Sequence, residues 1–399
     1  MLTGGGMRMT DPRRPVLSAA EQAADASELF SRASARLRRL VPYQSAVWTA
    51  ADPETGLITA PMLVENLSAG EGCATYWESE LLEENVVPFR ELARASVPAA
   101  GLRAATDDLP ARSARFRRLL LGQGVHDELR AVLRIGNRPW GLVSLFRTTD
   151  AFHPDEIALL ADLSRPLAER LRGFARPPES APRTGSPAPG LILFDACGEA
   201  MSINDEARHH LALLPPGPSY ASALGVALPI WVIGTALQAR AIADGWDHGN
   251  ARVRIRTTEG RWLSCHASCL TGPGGLPGPV ALVIEPATPA DLAVLVADAY
   301  GLTSRELQIT QLVARGTTTA EIATTLFLSP HTVRDHIKTV FAKARVSSRG
   351  ELVARLFTEH YWPALPEPTA VHRPGEPAAH ARILGPTPEP LAPQSSAAD

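Results

Sequence analysis

Lysine is almost missing from this chain. Only Lys338 and Lys343 occur among the 399 residues, and both lie in the last quarter of the sequence. A phosphate-binding loop of the form G-x-x-x-x-G-K-[ST] needs a lysine, and none precedes Lys338. A phosphoacceptor receiver domain also needs a lysine beside its acidic cluster. The shortage therefore excludes an ATPase with such a loop and argues against phosphorylation by a two-component kinase.

Cysteine and long apolar runs are also scarce. The four cysteines, at positions 73, 197, 265 and 269, are too few for a disulfide framework, which favours a reducing compartment. No apolar run approaches the length of a membrane span, and no apolar segment follows the first residues as it would in a secretory signal. We therefore expect a soluble cytoplasmic protein without a membrane partner.

No set of residues predicts catalysis or metal binding. Cys265, His266 and Cys269 are of the types that bind metals. On a strand, however, residues 265 and 269 lie on one face and residue 266 on the other, so the three do not converge on one ion. We expect no enzymatic activity, no cofactor and no metal.

The most informative stretch is residues 301–357, in which helix start signals recur four times. In three of them a Ser or Thr is followed three residues later by Glu, so that two free backbone N–H groups are satisfied reciprocally. These pairs are Thr303 with Glu306, Thr318 with Glu321, and Ser348 with Glu351. The fourth signal is Ser329 before Pro330, an N-cap with proline at the first helical position. The stretch therefore predicts four short helices.

The third of these helices is expected from about residue 330 to residue 344 and is amphipathic and basic. Its apolar face consists of Val333, Ile337, Val340 and Ala344. On its own it could be a solvated surface helix. The preceding helix, expected from 319 to about 327, also needs an apolar partner, and only two residues connect the two helices. Two helices joined by a tight turn, the second one basic, are typical of a helix-turn-helix that reads the major groove.

Positive charge is concentrated in the same stretch. Residues 301–357 contain eight Arg and Lys against four Asp and Glu, a formal charge of +4, whereas the whole chain carries −3 and the remainder therefore about −7. A basic segment in an otherwise acidic chain is the electrostatic pattern expected for a phosphate backbone partner. We therefore expect double-stranded DNA as the partner.

The strings LTSRE, ARG and TTAEIATTLFLSPHTVRDHIKTVFAKARVSSR resemble the four-helix DNA-binding domain of the LuxR family of bacterial transcription regulators. The resemblance implies that residues of the third helix contact DNA or seat that helix. Arg334 and Lys338 are the candidates for base edges, and Val333 is expected to pack first. The candidates for phosphate contacts are His331, Thr332, His336, Lys343 and Arg349. Thr318 and Ser329, the two caps, complete the predicted DNA-binding set.

Three residues depart from the family pattern. Leu307 stands where the family tends to be polar, and Thr310 where it is usually apolar. Arg345 stands where glycine or asparagine commonly ends the recognition helix. Arg345 must then adopt a left-handed cap at some cost, or the helix ends differently. None of these departures removes a predicted DNA-facing group.

Residues 19–174 predict an α+β domain. A helix over about 19–40 leads into a hairpin of strands 44–50 and 57–63, and a second hairpin joins strands 128–135 and 140–147. A closing helix follows, which Pro166 should kink or restart. The segment RPWGLVSLFRTTDAFHPDEIALLADLS, in this order of elements, resembles the GAF sensory domain.

A Pro/Ser-rich linker at residues 175–189 separates this region from a second one at 190–286. The string GLILFDACGEAMSINDEARHHLALL predicts strand, turn, strand and a helix capped by Asn204, and resembles the start of a PAS-type domain. Its later segment ALPIWVIGTALQARA fits either a cofactor wall or plain core. Residues 287–300 predict a linker helix, and residues 1–18 and 359–399 are expected to be disordered.

These observations predict a multidomain chain in which α+β GAF-like and PAS-like domains precede an all-α helix-turn-helix domain at 301–358. We expect a cytoplasmic bacterial transcription regulator that binds specific DNA as a homodimer and responds to an unknown small-molecule or protein signal. RNA polymerase is a further candidate partner. The alternative is a ligand- or protein-binding module whose helix-turn-helix serves protein interaction. A single acyl-homoserine-lactone-binding domain is less favoured, because nearly 300 residues with a linker precede the helix-turn-helix.

Overall fold

The N-terminal part of the chain forms an antiparallel sheet with helices on both faces. The computed structural model describes residues 11–67, 71–175 and 188–353. The helices of this part are α1 (Arg14–Glu21), α2 (Ala26–Leu37), α3 (Glu71–Leu82), α4 (Phe89–Leu92), α5 (Leu102–Ala105) and α6 (Pro154–Phe174). The strands are β1 (Ser45–Ala51), β2 (Ile58–Glu65), β3 (Ala99–Gly101), β4 (Asp127–Ile135) and β5 (Arg138–Arg147). Their order in the sheet is β2-β1-β5-β4-β3.

Alternation along β4 separates the two faces of this sheet. Leu129, Ala131 and Leu133 are fully buried in the apolar core beneath α2 and α6. Glu128 and Arg130 alternate with them along the strand and are also buried, but they belong to the opposite face. The alternation of side chains along β4 therefore places an apolar core on one side of the sheet and buried charged residues on the other.

The buried charges balance one another. Arg115 Nε donates to Glu128 Oε2 at 2.9 Å, and Arg130 donates to Glu80 Oε2 at 2.8 Å. The hydroxyl of Tyr76 donates to the other oxygen of Glu128 at 2.9 Å. Burial opposes ionisation of Glu128, but the two guanidinium groups outweigh it and hold the pKa of that carboxyl below its usual range. Two arginines and two glutamates thus form a buried network of four ion pairs on this face of the sheet.

The second part of the chain is another antiparallel sheet around one apolar helix. Its helices are α7 (Asp205–Ala212) and α8 (Ile230–Ala243). Its strands are β6 (Gly190–Phe194), β7 (Ala200–Ile203), β8 (Ser219–Ala221), β9 (Ala227–Pro229), β10 (Arg252–Arg256), β11 (Trp262–Thr271) and β12 (Pro277–Pro286). The main sheet has the order β10-β11-β12-β6-β7, and β8 and β9 form a separate hairpin. Helix α8 packs against β11, β12 and α3 and is buried over most of its surface, which explains why its sequence is apolar without a polar face.

The last described part is entirely helical. Helix α9 (Pro289–Ala299) packs against α6 and leads into α10 (Ser304–Ala314), α11 (Thr319–Thr325), α12 (Pro330–Ala344) and α13 (Arg349–Val353). We call α10 to α13 the reader. Over the described ranges, no helix combines the length and apolar character that crossing a membrane requires.

The structure differs from the sequence expectations at the start of the chain. The single helix expected over 19–40 is two helices, because Asp25 caps α2 by accepting a hydrogen bond from Glu28 N–H at 2.8 Å. Helix α2 ends at Leu37, so Leu40 lies outside the helix and is exposed, at 36%. Residues 14–18, expected to be disordered, lie in α1.

The closing elements of the first sheet also differ from expectation. Helix α6 continues through Pro166 as one element, which rules out the restart but not the kink that was expected as the other possibility. The hairpin of β4 and β5 turns at Gly136 and Asn137 alone, since β5 already begins at Arg138. Gly136 has a φ of 61°, the left-handed conformation that such a short turn requires. Most of the predicted linker, the first ten residues and the tail after 353 lie outside the described residues.

Candidate nucleic-acid interface

The helices of the reader begin where the sequence predicts. Thr303 N–H donates to Glu306 Oε2 at 2.7 Å, and Glu306 N–H donates back to Thr303 Oγ1 at 3.2 Å. Thr318 and Glu321 make the same reciprocal pair at the start of α11. Ser329 Oγ accepts from Thr332 N–H at 3.1 Å and so caps α12. These three starts confirm that short-range cap signals define the helices of the reader.

The fourth start differs in one detail. Ser348 Oγ accepts from Glu351 N–H at 3.1 Å, as a cap should. The carboxylate of Glu351 also accepts from the N–H and hydroxyl of Ser347, each at 2.8 Å. It therefore reaches one residue further back than the Ser348–Glu351 spacing predicts.

The apolar face of α12 anchors it to the rest of the reader. Val333, Ile337, Val340 and Ala344 are all buried, as their spacing predicts. They pack against α10 and α11, whose Ile309 and Ile322 are fully buried in the same core. With this face occupied, the remaining sides of α12 are presented to solvent.

Arg345 ends α12 in the left-handed conformation, with φ 54° and ψ 49°. This is the first of the two endings left open by the sequence. Thr310, the polar residue expected at an apolar position, is buried and donates its hydroxyl hydrogen to Glu306 O at 2.7 Å. The backbone carbonyl thus satisfies a hydroxyl that would otherwise be buried without a partner.

Three basic or titratable side chains share one exposed face of α12. His331, Arg334 and Lys338 follow one another at intervals of three and four residues, and all three are exposed. In the described part of the chain, no acidic side chain lies within ion-pair distance of Arg334 or Lys338. His331 Nε2 lies 3.6 Å from Asp335 Oδ2 on the neighbouring strip of the helix. The face therefore carries two uncompensated positive charges four residues apart.

The other residues near the start of α12 are less exposed. Thr332 is partly buried, and its hydroxyl is 2.8 Å from that of Ser329. His336 is partly buried on the flank of the helix. Val333 is fully buried, which confirms the expectation that it packs first.

Lys343 and Arg349 are engaged within the reader. Lys343 Nζ donates to Glu306 Oε2 at 2.6 Å and so ties α12 to the start of α10. Arg349 donates to Thr317 O at 3.1 Å and to Thr319 Oγ1 at 2.7 Å, which ties α13 to the start of α11. Neither side chain lies on the face that carries Arg334 and Lys338, so the structure does not bring the predicted set together on one surface.

The ion pair of Lys343 changes the titration of its partner. Partial burial opposes ionisation of Glu306, but the hydrogen bonds from Lys343 and from Thr303 N–H outweigh it and lower the pKa of this carboxyl. Glu306 is thus both the capping residue of α10 and the anchor of α12.

Two residues of the interface were missed from the sequence. Arg305 donates to Leu326 O at 3.1 Å, a carbonyl at the end of α11. Phe327 is 95% exposed and holds a left-handed φ of 55° in the turn before α12. The short connection between α11 and α12 was a signal that a positive φ would be needed there, but the residue that adopts it is not glycine.

Over the described ranges, no group of three or more His, Cys, Asp or Glu residues is arranged to hold a metal ion. Cys265 is buried and His266 is exposed on the opposite face of β11, as strand alternation predicts. Burial raises the pKa of the Cys265 thiol to about 12, which makes it inert at neutral pH.

Comparison with known proteins agrees with this geometry at the reader. The family model described as bacterial regulatory proteins, luxR family, matches residues 301–356. Spore germination protein GerE of Bacillus subtilis (strain 168) is 42% identical over 55 residues, which are 14% of this chain and 74% of that protein.

Similar solved structures match more of the chain at lower identity. Escherichia coli SdiA is 13% identical, with 86% of this chain and 94% of that chain covered and a TM-score of 0.31. A phage VqmA in complex with DPO is 18% identical over 46% of this chain and 87% of that chain, with a TM-score of 0.22. The chromophore-binding domain of a Stigmatella aurantiaca bacteriophytochrome is 17% identical over 40% of this chain and 58% of that chain, with a TM-score of 0.27. Scores of this size do not establish a common fold for the whole chain.

Proposed function

We propose that this chain, which belongs to the luxR family of bacterial regulatory proteins, binds specific DNA sequences by inserting α12 into the major groove. A transcription regulator of this family is not an enzyme. The observation that carries the proposal is the pair of exposed cations, Arg334 and Lys338, on the solvent side of α12, neither of which has an acidic partner among the described residues. Such a pair matches both the phosphate charge and the acceptor groups of guanine in the groove.

We assign different roles to the residues of the interface. Arg334 and Lys338 are the candidates for base edges, because they lie on one face one helical turn apart. His331, Thr332 and His336 are the candidates for phosphate contacts at the borders of that face. The contacts of Lys343 and Arg349 with α10 and α11 favour positioning roles for these two residues, in place of the phosphate contacts expected from the sequence. Thr318 and Ser329 act as caps.

The remaining parts of the chain are assigned to sensing and assembly. Residues 19–174 and 190–286 are proposed as GAF-like and PAS-like sensory domains, in line with the element order of each five-stranded sheet. A homodimer on DNA fits the two-fold symmetry that helix-turn-helix operators commonly have. A small-molecule or protein signal would act through α9, and RNA polymerase is a further proposed partner.

Substitution of Arg334 tests the proposed groove contact. The full chain and its R334A variant are titrated by fluorescence anisotropy against duplex DNA from upstream of its own gene and against a scrambled duplex of equal length. R334A is expected to reduce the discrimination between the two duplexes by about 1 to 3 kcal/mol. The matched control is R165A, because Arg165 is an exposed arginine on α6, outside the reader, that pairs with Glu169. If R334A discriminated as well as R165A, α12 would not read this DNA.

A further inference from the structure

Three arginines line the outer side of β10. Arg252, Arg254 and Arg256 alternate with Val253 and Ile255, which are fully buried in the core of the second sheet. The three guanidinium groups therefore project on the face opposite that core. The hydrogen-bond partners of the three guanidinium groups differ along the strand, as the next contacts show.

The first two arginines are neutralised by carboxylates. Arg254 donates to both oxygens of Asp52, at 2.6 and 2.8 Å, in a pair that is almost fully buried. Arg252 donates to Glu54 at 3.0 Å and to Asp291 of α9 at 2.9 Å. These contacts join β10 to the turn between β1 and β2 and to the start of α9.

Arg256, the third arginine, has no such partner. It donates to the backbone oxygens of Phe174 at 3.1 Å and Gly260 at 3.4 Å, and no described carboxylate lies within ion-pair distance. Burial lowers the pKa of this guanidinium, and no described acidic group offsets the effect. A partly buried positive charge without a counter-charge is costly unless something else supplies it.

A cleft of about 410 Å³ opens beside Arg256. Its walls are mainly apolar and include Trp140 of β5, Leu171 of α6, Trp262 of β11 and Leu295 of α9. Two carboxylates also line it, but both are engaged. Asp52 pairs with Arg254, and Asp25 accepts from Glu28 N–H as the cap of α2. The cleft thus combines aromatic walls with an arginine that has no carboxylate partner among the described residues, and its volume lies within the range of small-molecule sites.

We propose that this cleft binds an amphipathic small molecule that carries one carboxylate, with the carboxylate on Arg256 and the apolar part between Trp140 and Trp262. A planar guanidinium pairs with a carboxylate through two parallel hydrogen bonds, which suits this headgroup. Leu295 brings α9 into the wall, so that an occupant touches the helix that leads into the reader. The assignment of the ligand as a regulatory signal rests on the function proposed above, whereas the binding site itself does not.

The test measures binding to the full chain in the absence of DNA. The ligands used are indole-3-acetate, 1-naphthaleneacetate and octanoate, each paired with its neutral amide, and dissociation constants are obtained by titration calorimetry. At least one acid is expected to bind at least tenfold more tightly than its amide. R256Q is expected to remove that preference, R256K to retain part of it, and the surface control R165Q to leave it unchanged.

Several results would overturn the site. It is wrong if none of the three acids binds, if acids and amides bind alike, or if R256Q keeps the preference for the acid. Glu179 follows the cleft residue Ala175 by four positions in the sequence but lies outside the described residues. The variant E179Q is therefore measured as well, to test whether Glu179 is the counter-charge of Arg256. Unchanged acid binding in E179Q supports the site, while a tenfold gain would mean that Glu179 neutralises Arg256 and that the arginine is not free for a ligand.

DNA binding by R256Q without any ligand separates the two proposals. R256Q is expected to bind DNA like the unaltered chain, because Arg256 is not part of the reader. Loss of acid binding with intact DNA binding confirms the site as a separate one. Absence of DNA binding in every variant would contradict the proposed function, but it would not affect the binding result obtained by calorimetry.

Discussion

Phe327 adopts a backbone conformation that its residue type disfavours. Its φ of 55° lies in the left-handed region, which costs most side chains about 1 to 2 kcal/mol, and its ring is 95% exposed and gains little from burial. Asparagine tolerates this conformation better. We expect F327N to slow hydrogen exchange of the amides of α11 and α12 by up to about fivefold. Faster exchange in F327N would mean that the ring stabilises the turn.

The lowered pKa of Glu306 predicts that α10 and α12 lose stability in acid. Its pKa is lowered in the folded chain, so the ionised form contributes stability that is present above its ordinary pKa, about 4.3, and is lost as the pH falls through the lowered value. After correction for intrinsic exchange rates, protection of α10 and α12 should therefore fall as the pH is lowered below about 4.3. In E306Q this pH dependence should be weaker, and what remains is expected from other carboxylates such as Glu321, whose pKa is also lowered.

The same carboxylate supplies a test of the positioning role of Lys343. K343Q should weaken the protection of α12 at neutral pH, because it removes the hydrogen bond to Glu306. Added to E306Q, the same substitution should have little further effect, since the partner is already gone. Equal effects of K343Q in both backgrounds would show that Lys343 stabilises α12 independently of Glu306, which would contradict the assigned contact.

The side chain of Ser329 stabilises the first turn of α12 as its N-cap. Removal of its Oγ in S329A should cost about 1 kcal/mol of helix stability, because Thr332 N–H loses its acceptor. Hydrogen exchange of residues 330–337 should then be about fivefold faster, whereas S329N retains a cap and should match the unaltered chain. If S329A and S329N exchanged alike, the cap would not limit the start of α12.

Helices with strong local signals were the ones that the sequence predicted well. The starts of α10, α11 and α12 follow from two or three residues each, and the buried stripe of α12 follows from its spacing. The break between α1 and α2 was missed because Asp25 and Glu28 lie inside a stretch whose apolar spacing is helical on both sides. The buried charges of β4 were also not predicted, since their partners Glu80 and Arg115 are distant in sequence.

The whole molecule is held together by contacts that no local pattern reveals. Asp52 and Arg254 are 202 residues apart, and nothing near either one indicates that they meet. For the same reason, the sequence grouped Lys343 and Arg349 with the residues on the exposed face of α12, whereas the structure places them elsewhere in the reader. The exposed face of α12 followed from helical spacing, whereas the engagement of Lys343 and Arg349 depends on how α10, α11 and α13 pack.

Helix α9 is held at both ends by arginines from the two sheets. Arg252 of β10 pairs with Asp291 at 2.9 Å, and Arg138 of β5 pairs with Asp298 at 2.9 Å. Burial raises the pKa of Asp298, and the positive charge of Arg138 opposes that effect. The double variant D291N/D298N should exchange α9 amides faster than the unaltered chain, while the amides of the buried strand β4 should not change. Equal exchange in α9 would mean that the ion pairs do not hold the helix.

The central claim is that α12 lies in the major groove, and guanine N7 reports on that groove directly. Dimethyl sulfate protection is measured on the upstream duplex with the full chain and with R334A, R165A again serving as control. The account predicts protection of guanine N7 positions by the unaltered chain and by R165A, with at least one position lost in R334A. Protection that is absent, or that is confined to adenine N3 in the minor groove, would contradict it.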